Sequence, residues 1–225
     1  MAQFSGGRSH HKRIPLLRQS YRCNGILFIG FNPSYDKKKL EKYAKQLKYN
    51  KLTLSRIFRL QDLTVKTLNT AIAIEEIARA EHQYFQKSKN LAEICGLPWE
   101  HIDLFQLRMT NEKMTLGHLT KKCILTSFAK EQLRVTVELI DNINPKIIAV
   151  LSANGRKIFF GEISGFPDFQ ERRSEFDNDH GFHWYTIGQR KVPLFFSGML
   201  SGGRALDTGS YERLRWHLRK TSKSL

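Results

Sequence analysis

Asn32 is the first residue of this sequence whose type and position suggest chemistry. The apolar run Ile26 to Ile29 shortly before it is typical of a central parallel strand covered on both faces. Gly30 allows a tight turn and Pro33 fixes the following backbone, so Asn32 would stand at the carboxyl end of that strand. Open α/β sheets bind ligands at this edge. The alternative is a plain strand-to-helix turn in which Asn32 hydrogen-bonds its own backbone.

A second group of polar side chains follows the short run at 101–105. Gln106 and Arg108 come directly after it. If this run is a second parallel strand, either side chain would face the same crevice as the first strand end and could contact a ligand. The alternative is that Arg108 pairs with Asp103 or Asp36 and only braces the sheet.

A glycine-rich loop at 197–207 follows the apolar run at 192–196. Its three glycines let backbone amides approach an anion closely, and Ser201 and Arg204 add side-chain donors for a phosphate. Neither a phosphate-loop lysine motif nor a dinucleotide-binding fingerprint is present, which argues against a nucleotide hydrolase or a dehydrogenase.

These three polar strand ends require a sheet that brings them to one edge. Apolar runs alternate with helical patterns, which predicts a three-layer α/β/α domain with a roughly four-stranded, mostly parallel central sheet. The predicted strands are at 26–29, 101–105, 146–151 and 192–196, with an edge strand at 183–187. The predicted helices are at 37–51, 71–91, about 123–143 and from Thr208 or Ser210 onward, and 164–183 reads as an irregular surface excursion.

The domain organisation predicted from composition is simple. Residues 1–22 are rich in Arg and His among Gly, Ser and Gln, and we expect a flexible basic tail that could follow phosphates. Residues 23–225 contain no linker or internal repeat and are expected to form a single α/β domain.

Charge is the strongest compositional signal. The chain carries 37 Lys and Arg against 21 Asp and Glu, a formal charge of +16, so a polyanion is the natural partner. Nucleic acid is favoured over a membrane surface or a mere solubility device. No apolar run is long enough to cross a bilayer and no secretory signal is recognisable, so the chain is expected to be cytoplasmic, and a monomer is the default.

The cysteine and histidine patterns do not predict a metal site. Cys23, Cys95 and Cys123 are scattered, and the eight histidines share no ligand spacing with them. We therefore expect neither a structural metal nor a cofactor.

Three motifs together resemble the uracil-DNA glycosylase superfamily, nearest its mismatch-specific and thymine-DNA glycosylase branch. Gly30-Phe31-Asn32-Pro33-Ser34 is similar to the family's first motif, Gly-x-Asn-Pro-Gly, at the end of the first strand. Arg108-Met109-Thr110 is similar to the Arg-x-Thr of that branch. Met199-Leu200-Ser201-Gly202-Gly203-Arg204 is similar to the second motif, a Pro-Ser-rich loop ending near Arg. The resemblance runs from about Cys23 to the C-terminus.

The chain also departs from the family pattern. Ser34 replaces a usual Gly, no Pro precedes Ser201, and the His of the uracil-specific second motif is missing. Asn32 stands where the uracil-specific enzymes have Asp, so the resemblance disfavours that branch.

The resemblance implies a monofunctional DNA glycosylase of the uracil-DNA glycosylase-like fold. It would flip a nucleotide out of the stack and hydrolyse its base–sugar bond through an oxocarbenium-like transition state, as in base excision during DNA repair. Neutral Asn32 would orient the attacking water, because an amide cannot act as a base. Asp36 could supply a carboxylate, with Asp103 or Asp207 as weaker candidates and a surface or capping role for Asp36 as the alternative.

The remaining site residues follow from the same resemblance. Met199 or Leu200 would wedge into the gap left by the flipped base, and an aromatic such as Phe31 or Tyr35 would stack on the base, core packing being the alternative. The expected substrate-binding residues are Gly30, Phe31, Ser34, Tyr35, Gln106 and Arg108. The expected DNA-binding residues are Met199, Leu200, Ser201, Gly202, Gly203 and Arg204.

The expected substrate is a damaged or modified pyrimidine in DNA. A related branch acts in antiviral defence by removing bulky cytosines such as glucosylated hydroxymethylcytosine from phage DNA, and the excursion at 164–183 would suit an enlarged pocket. The alternative from another class is a non-catalytic nucleic-acid-binding module on the same fold. A nuclease is less favoured because the carboxylates are not clustered as metal ligands.

Overall fold

Strands and helices are interspersed along the chain. The computed structural model describes residues 21, 24–33, 37–48, 64–109, 111–202 and 205–225. Within them a six-stranded, mostly parallel sheet, a two-stranded ribbon and eight helices form a mixed α/β fold. The strands are β1 (Ile26–Gly30), β2 (Trp99–Asp103), β3 (Thr120–Lys121), β4 (Ile124–Leu125), β5 (Ile147–Val150), β6 (Arg173–Asp177), β7 (Phe182–Ile187) and β8 (Arg190–Phe196). The helices are α1 (Lys37–Gln46), α2 (Val65–Glu81), α3 (Gln83–Cys95), α4 (Glu112–Leu119), α5 (Ser127–Ile143), α6 (Ala153–Phe159), α7 (Asp168–Arg172) and α8 (Thr208–Ser222).

The main sheet has the strand order β2-β1-β5-β8-β7-β6. Its first four strands are parallel, while β7 and β6 are antiparallel additions. The predicted count of roughly four strands was therefore too low. The expected irregular excursion at 164–183 contains α7 and β6, because residues 173–177 pair with β7 and extend the sheet.

Each face of the sheet carries its own apolar core. In β1, Leu27 and Ile29 contribute to one core, whereas Ile26 and Phe28 contribute to the other. The first core is completed by α5, and the second by α3 and α8. Because successive strand residues point to opposite faces, a strand covered on both sides is apolar at every position. Residues 26–29 follow that rule.

Two helices end at a residue in the left-handed conformation. Gly96 ends α3 in the left-handed conformation with φ 64°, and Asn144 ends α5 with φ 49°. The start of α8 differs, because the Asp207 carboxylate accepts the Ser210 backbone N–H at 2.9 Å and caps the helix in place of Thr208 or Ser210.

Three predicted helices differ from the structure in their bounds, and the one expected at 37–51 ends at Gln46. The helix expected at 123–143 begins only at Ser127, since Thr126 caps it and residues 120–125 form the ribbon β3-β4. The helix expected at 71–91 is divided at His82, whose backbone is extended with φ −77° and ψ 126°. The His82 Nδ1 atom accepts the Tyr84 backbone N–H at 3.0 Å and starts the second helix. No proline or glycine marks this break, so the sequence pattern missed it.

Tyr21 is the one described residue of the predicted tail at 1–22, and it packs against the core shared with α5. The rest of that tail lies outside the described residues. No helix within the described ranges has the length and apolar character needed to span a bilayer.

Candidate active site

A cavity of about 490 Å³ opens at the carboxyl ends of β1, β2 and β5. Asn32 lines it, as the position of this residue after the first strand predicted. The volume lies within the range of about 300–1,000 Å³ that is usual for small-molecule sites. The polar and aromatic side chains around it are those of Phe31, Asn32, Tyr43, Glu75, His82, Gln83, Tyr84, Phe85, His101, Asp103, Arg108, Glu112, Ser152 and Ser201.

The Asn32 amide is bound to the backbone that follows β2. Its Nδ2 atom donates to the carbonyl oxygens of Leu107 at 3.1 Å and Met109 at 2.7 Å, and also to that of Pro33 at 3.2 Å. The carbonyls require the donor end of the amide, and none of these hydrogen bonds to described residues uses the acceptor Oδ1. A purely local turn does not account for these contacts. Asn32 joins two strand ends that are 75 to 77 residues apart in the sequence.

Gly30 is required by the packing beside Asn32. It pairs with Asp103 in the register of β1 and β2. A Cβ atom at residue 30 would overlap with Asp103 Oδ1 and would lie 3.2 Å from both His101 Nε2 and the Tyr84 hydroxyl. A carboxylate, an imidazole and a phenol thus converge over the end of the first strand. Gly30 therefore does more than allow the predicted tight turn, because its missing side chain leaves room for these three groups.

His101 and Asp103 lie on the same face of β2, two residues apart, and both are buried. The His101 Nε2 atom is 3.6 Å from Asp103 Oδ1. No hydrogen-bond partner among the described residues reaches His101 Nδ1. An unpaired buried nitrogen costs about 1–3 kcal/mol, and such a cost is most easily understood where a ligand or water completes the bonding.

The break at His82 positions the aromatic wall of the cavity. Tyr84 and Phe85, in the first turn of α3, contact the His101 ring edge to face at centroid distances of 5.4 and 5.2 Å. Burial raises the pKa of Tyr84, and the nearby carboxylates of Asp103 and Glu112 raise it further. The phenol therefore stays protonated and can donate a hydrogen bond.

Arg108 is a buried member of the cavity wall and forms an ion pair with Glu75 of α2. The side chains of Arg108 and Glu75 are only 3% and 8% exposed, so neither is solvated by bulk water. Burial raises the pKa of Glu75, and the Arg108 guanidinium opposes that rise. The expected bracing role of Arg108 agrees with this pair, although the partner is Glu75 in place of Asp103 or Asp36.

Glu112 is a third carboxylate on the cavity wall, in the first turn of α4. Its Oε1 atom accepts hydrogen bonds from Ser152 Oγ at 3.3 Å and Asn154 Nδ2 at 3.1 Å. Ser152 also caps α6, because its Oγ accepts the Gly155 N–H at 3.0 Å. The end of β5 therefore holds Glu112 in place.

The loop after β8 reaches the cavity through Met199, Ser201 and Gly202. A backbone hydrogen bond of 2.9 Å joins Leu206 N to Met199 O. Leu200 does not suit the predicted wedge role, because it is 1% exposed and packs in the core with α8. Of the two predicted wedge residues, Met199 is the one on the cavity surface.

The other predicted residues divide into three groups. Phe31 both lines the cavity and packs edge to face on Phe105 at 5.2 Å, so the core alternative is partly correct. Gln106 does not line the cavity, since its Nε2 atom donates to Asp103 O at 3.1 Å and its backbone N–H is bonded to Gln132. Ser34, Tyr35, Asp36, Thr110, Gly203 and Arg204 lie outside the described residues.

Sequence reasoning missed most of the polar cavity wall. Glu75 lies within a predicted helix, and its ion-pair partner Arg108 is 33 residues away in the sequence. No local pattern indicates that contact. His101 and Asp103 did carry a signal, because two ionisable residues at alternate positions of a predicted central strand share one face. Asp103 was considered only as a weaker candidate for the catalytic carboxylate or as an ion-pair partner of Arg108.

The cavity wall is acidic although the chain is strongly basic. Within the described ranges three carboxylates line it against the single guanidinium of Arg108, and no lysine does. A phosphate would be repelled there, whereas a ligand with N–H donors or developing positive charge would be stabilised. No described group of three His, Cys, Asp or Glu is arranged to hold a metal ion.

Gly30→Ala tests the close approach over the first strand. The new Cβ must displace the Asp103 carboxylate, so we expect a loss of about 1–3 kcal/mol in the free energy of unfolding. Gly117→Ala is the matched control, because open space surrounds that helical residue and about 0.5–1 kcal/mol should be gained there. Urea unfolding of both variants checks this, and an unchanged midpoint for Gly30→Ala would contradict the observed packing.

Comparison with known proteins assigns no family to this chain. No protein-family model matches it, and no curated protein matches it.

Proposed function

We propose that the protein is a monofunctional DNA glycosylase that removes a damaged or modified pyrimidine, with the cytosine type favoured. The observation that carries the proposal is the placement of Asn32 beside Glu75, Asp103 and Glu112 in one cavity at the carboxyl edge of the sheet. The formal charge of +16 supports a polyanionic substrate for the protein as a whole. The motifs similar to the uracil-DNA glycosylase superfamily support the same reaction.

The acidic wall suits the charge that develops during hydrolysis of a base–sugar bond. As this bond lengthens, the sugar becomes positive and the base leaves with the bonding electrons. Fixed carboxylates stabilise the sugar cation without having to reorganise. Asn32 Oδ1 can accept a hydrogen bond from the water that adds to the sugar, while Nδ2 keeps the amide oriented. The departing base takes up a proton and the sugar receives the hydroxyl.

Asp103 supports recognition of a base that carries an amino group. An ionised carboxylate only accepts hydrogen bonds, so it complements the N4 amino group of cytosine. The O4 atom of uracil or thymine would face it as a second acceptor. Tyr84, a donor at the same end of the cavity, could serve a carbonyl oxygen of the base.

The size and surroundings of the cavity support the remaining parts of the proposal. A volume of about 490 Å³ exceeds what a bare pyrimidine ring needs, which favours a base with a bulky substituent such as glucosylated hydroxymethylcytosine. The target must leave the stack to enter. Met199, Ser201 and Gly202 lie where a loop could contact the adjoining backbone. A lyase step is not proposed, since no described lysine lines the cavity.

The test is release of free base from DNA that contains cytosine, hydroxymethylcytosine, glucosylated hydroxymethylcytosine, uracil or a thymine mismatch. We expect release from a cytosine-type substrate, followed by alkali-labile abasic sites. Asp103→Asn adds a donor at the base-reading position and should shift the ratio of cytosine-type to uracil-type release about 10- to 100-fold toward uracil, or ~1–3 kcal/mol. Glu212→Gln, on the exposed surface of α8, should leave the ratio unchanged.

Two results would contradict the proposal in different ways. An unchanged ratio in Asp103→Asn would show that Asp103 does not recognise the base. It would not contradict the proposed glycosylase activity. Tight, salt-dependent DNA binding without release of any base would instead favour a non-catalytic nucleic-acid-binding module.

A further inference from the structure

The outer face of α8 is basic and carries an exposed tryptophan. Leu214 and Leu218 are buried in the core shared with α3, so the apolar side of this helix is already covered. The exposed basic and aromatic side chains of α8 and its C-terminal cap are Arg213, Arg215, Trp216, Arg219, Lys220 and Lys223. We call these six residues the α8 surface.

The cations of the α8 surface have almost no acidic neighbours. Glu212 is the one carboxylate within the helix, and it pairs with Arg215 at 3.1 Å. No carboxylate of the described residues forms an ion pair with Arg219, Lys220 or Lys223. Their charges are therefore available to phosphates, and each phosphate that is neutralised releases a counterion.

Trp216 is 62% exposed, so most of its indole ring is open to solvent. Lys220 Nζ lies 5.2 Å from the centre of the indole ring and makes a cation–π contact with it. A flat aromatic ring bordered by cations is the combination on which single-stranded nucleic acids bind, because a base stacks on the ring while phosphates meet the cations. A membrane is a poorer partner, since the apolar side of α8 is buried and leaves one aromatic residue for insertion.

We propose that the α8 surface binds single-stranded nucleic acid, with an unpaired base stacked on Trp216 and phosphates on the flanking cations. Bases inside an intact duplex cannot stack on a ring that approaches from outside, so the partner is a single strand. The cations from Arg213 to Lys223 extend over about 15 Å of the helix, which is long enough to contact more than one phosphate of a strand.

The α8 surface is connected to the cavity by the chain itself. Met199, Ser201 and Gly202 line the cavity, and α8 starts at Thr208, shortly after that loop. Trp216 lies about 12 Å along the helix from Thr208. A strand held on α8 could therefore lead toward the cavity, and a preference for single-stranded substrate would follow. The binding itself does not depend on the cavity being catalytic.

The experiment measures binding of a fluorescent oligothymidylate of about 20 nucleotides by anisotropy over a range of salt concentrations. Trp216→Ala should weaken binding about 5- to 150-fold, and Trp216→Phe, which keeps a ring, should recover most of that loss. The double variant Lys220→Glu, Lys223→Glu should make the slope of log affinity against log salt less steep by about 1.4, which corresponds to the loss of two phosphate contacts.

The controls lie on the opposite face of the sheet. Phe128→Ala removes an exposed ring from α5, and Lys121→Glu with Lys122→Glu reverses two exposed charges of the β3-β4 ribbon. Neither should reproduce the corresponding α8 effect.

Three results would overturn the proposal. Trp216→Ala could bind as tightly as the wild type, or a control could weaken binding as much as its α8 counterpart. Vesicles of phosphatidylserine could instead bind with the same dependence on Trp216, which would assign the surface to a membrane. Base release is measured separately, so these results are distinct from a failure of the glycosylase proposal.

Discussion

Replacing Arg108 by methionine should lower the free energy of unfolding at neutral pH by about 3–5 kcal/mol. Methionine retains the bulk of the arginine stem but leaves the Glu75 carboxylate buried without its guanidinium. A buried charge that loses its partner retains the full desolvation penalty and gains nothing in return. Chemical denaturation monitored by circular dichroism measures the loss.

The loss should depend on pH in a defined direction. Burial already raises the pKa of Glu75, and removing Arg108 takes away a group that lowers it, so the pKa should rise further in the variant. A folded-state pKa above the unfolded value means that the native state binds more protons, and stability then falls as pH increases. Arg108→Met should therefore be least impaired near pH 4.5, the ordinary pKa of the carboxyl, and progressively less stable above it.

A second variant separates the Glu75 contribution from other effects of losing Arg108. In Glu75→Gln, Arg108→Met the uncompensated charge is gone, so this double variant should be more stable than Arg108→Met alone. Arg134→Met is the control for an exposed ion pair, since Arg134 and Glu131 are 58% and 65% exposed, and should cost less than about 1 kcal/mol. A pH-independent loss, or a double variant as unstable as the single one, would contradict the role assigned to the buried pair.

The contrast between Glu75 and Asn32 shows what could be predicted from sequence. Asn32 follows a run of four apolar residues and is flanked by Gly30 and Pro33, so its place at a strand end could be derived from neighbours in the chain. Glu75 lies within a helix and reads as an ordinary solvated residue. Its burial arises because α2 packs over the end of β2, a contact that no local rule contains.

The same limit explains the errors in the fold. β1 and β5 were found because strands covered on both faces are continuously apolar. β6 was missed because its sequence, Arg-Ser-Glu-Phe-Asp, is that of a partly exposed edge strand that depends on pairing with β7. The break at His82 was missed because neither proline nor glycine marks it. The His82 side chain caps the second helix, and Phe85 of that helix contacts His101.

For the candidate site, the sequence located the edge but not the character of the cavity. The strand ends predicted a ligand site with Asn32 and Arg108 on its wall, and both line the cavity. Gln106, which was predicted to contact the ligand, does not line the cavity, because its side chain donates a hydrogen bond to the Asp103 carbonyl oxygen. An acidic interior in a protein of formal charge +16 could not be inferred from totals, which describe the exposed surface more than the cavity.

Asn32→Ala should reduce the single-turnover rate of base release about 100- to 1,000-fold. The variant loses the amide oxygen available to the attacking water and also the Nδ2 donor that holds Leu107 and Met109. Two carbonyl groups then lack a donor, so some loss of stability is expected as well. Thr126→Ala provides the comparison, because it removes the cap of α5 and should cost about 1 kcal/mol without affecting base release.

Asn32→Asp tests whether the function of Asn32 depends on its amide nitrogen as a hydrogen-bond donor. A carboxylate at this position would face the carbonyl oxygens of Leu107 and Met109, which now accept hydrogen bonds at 3.1 and 2.7 Å from the amide nitrogen. Repulsion between acceptors should displace the side chain, so Asn32→Asp should be less stable than the wild type and should not regain activity. If Asn32→Asp instead released base as fast as the wild type, the hydrogen bonds donated by Nδ2 would not be needed, and the strand-bridging geometry would not be the basis of the function of Asn32.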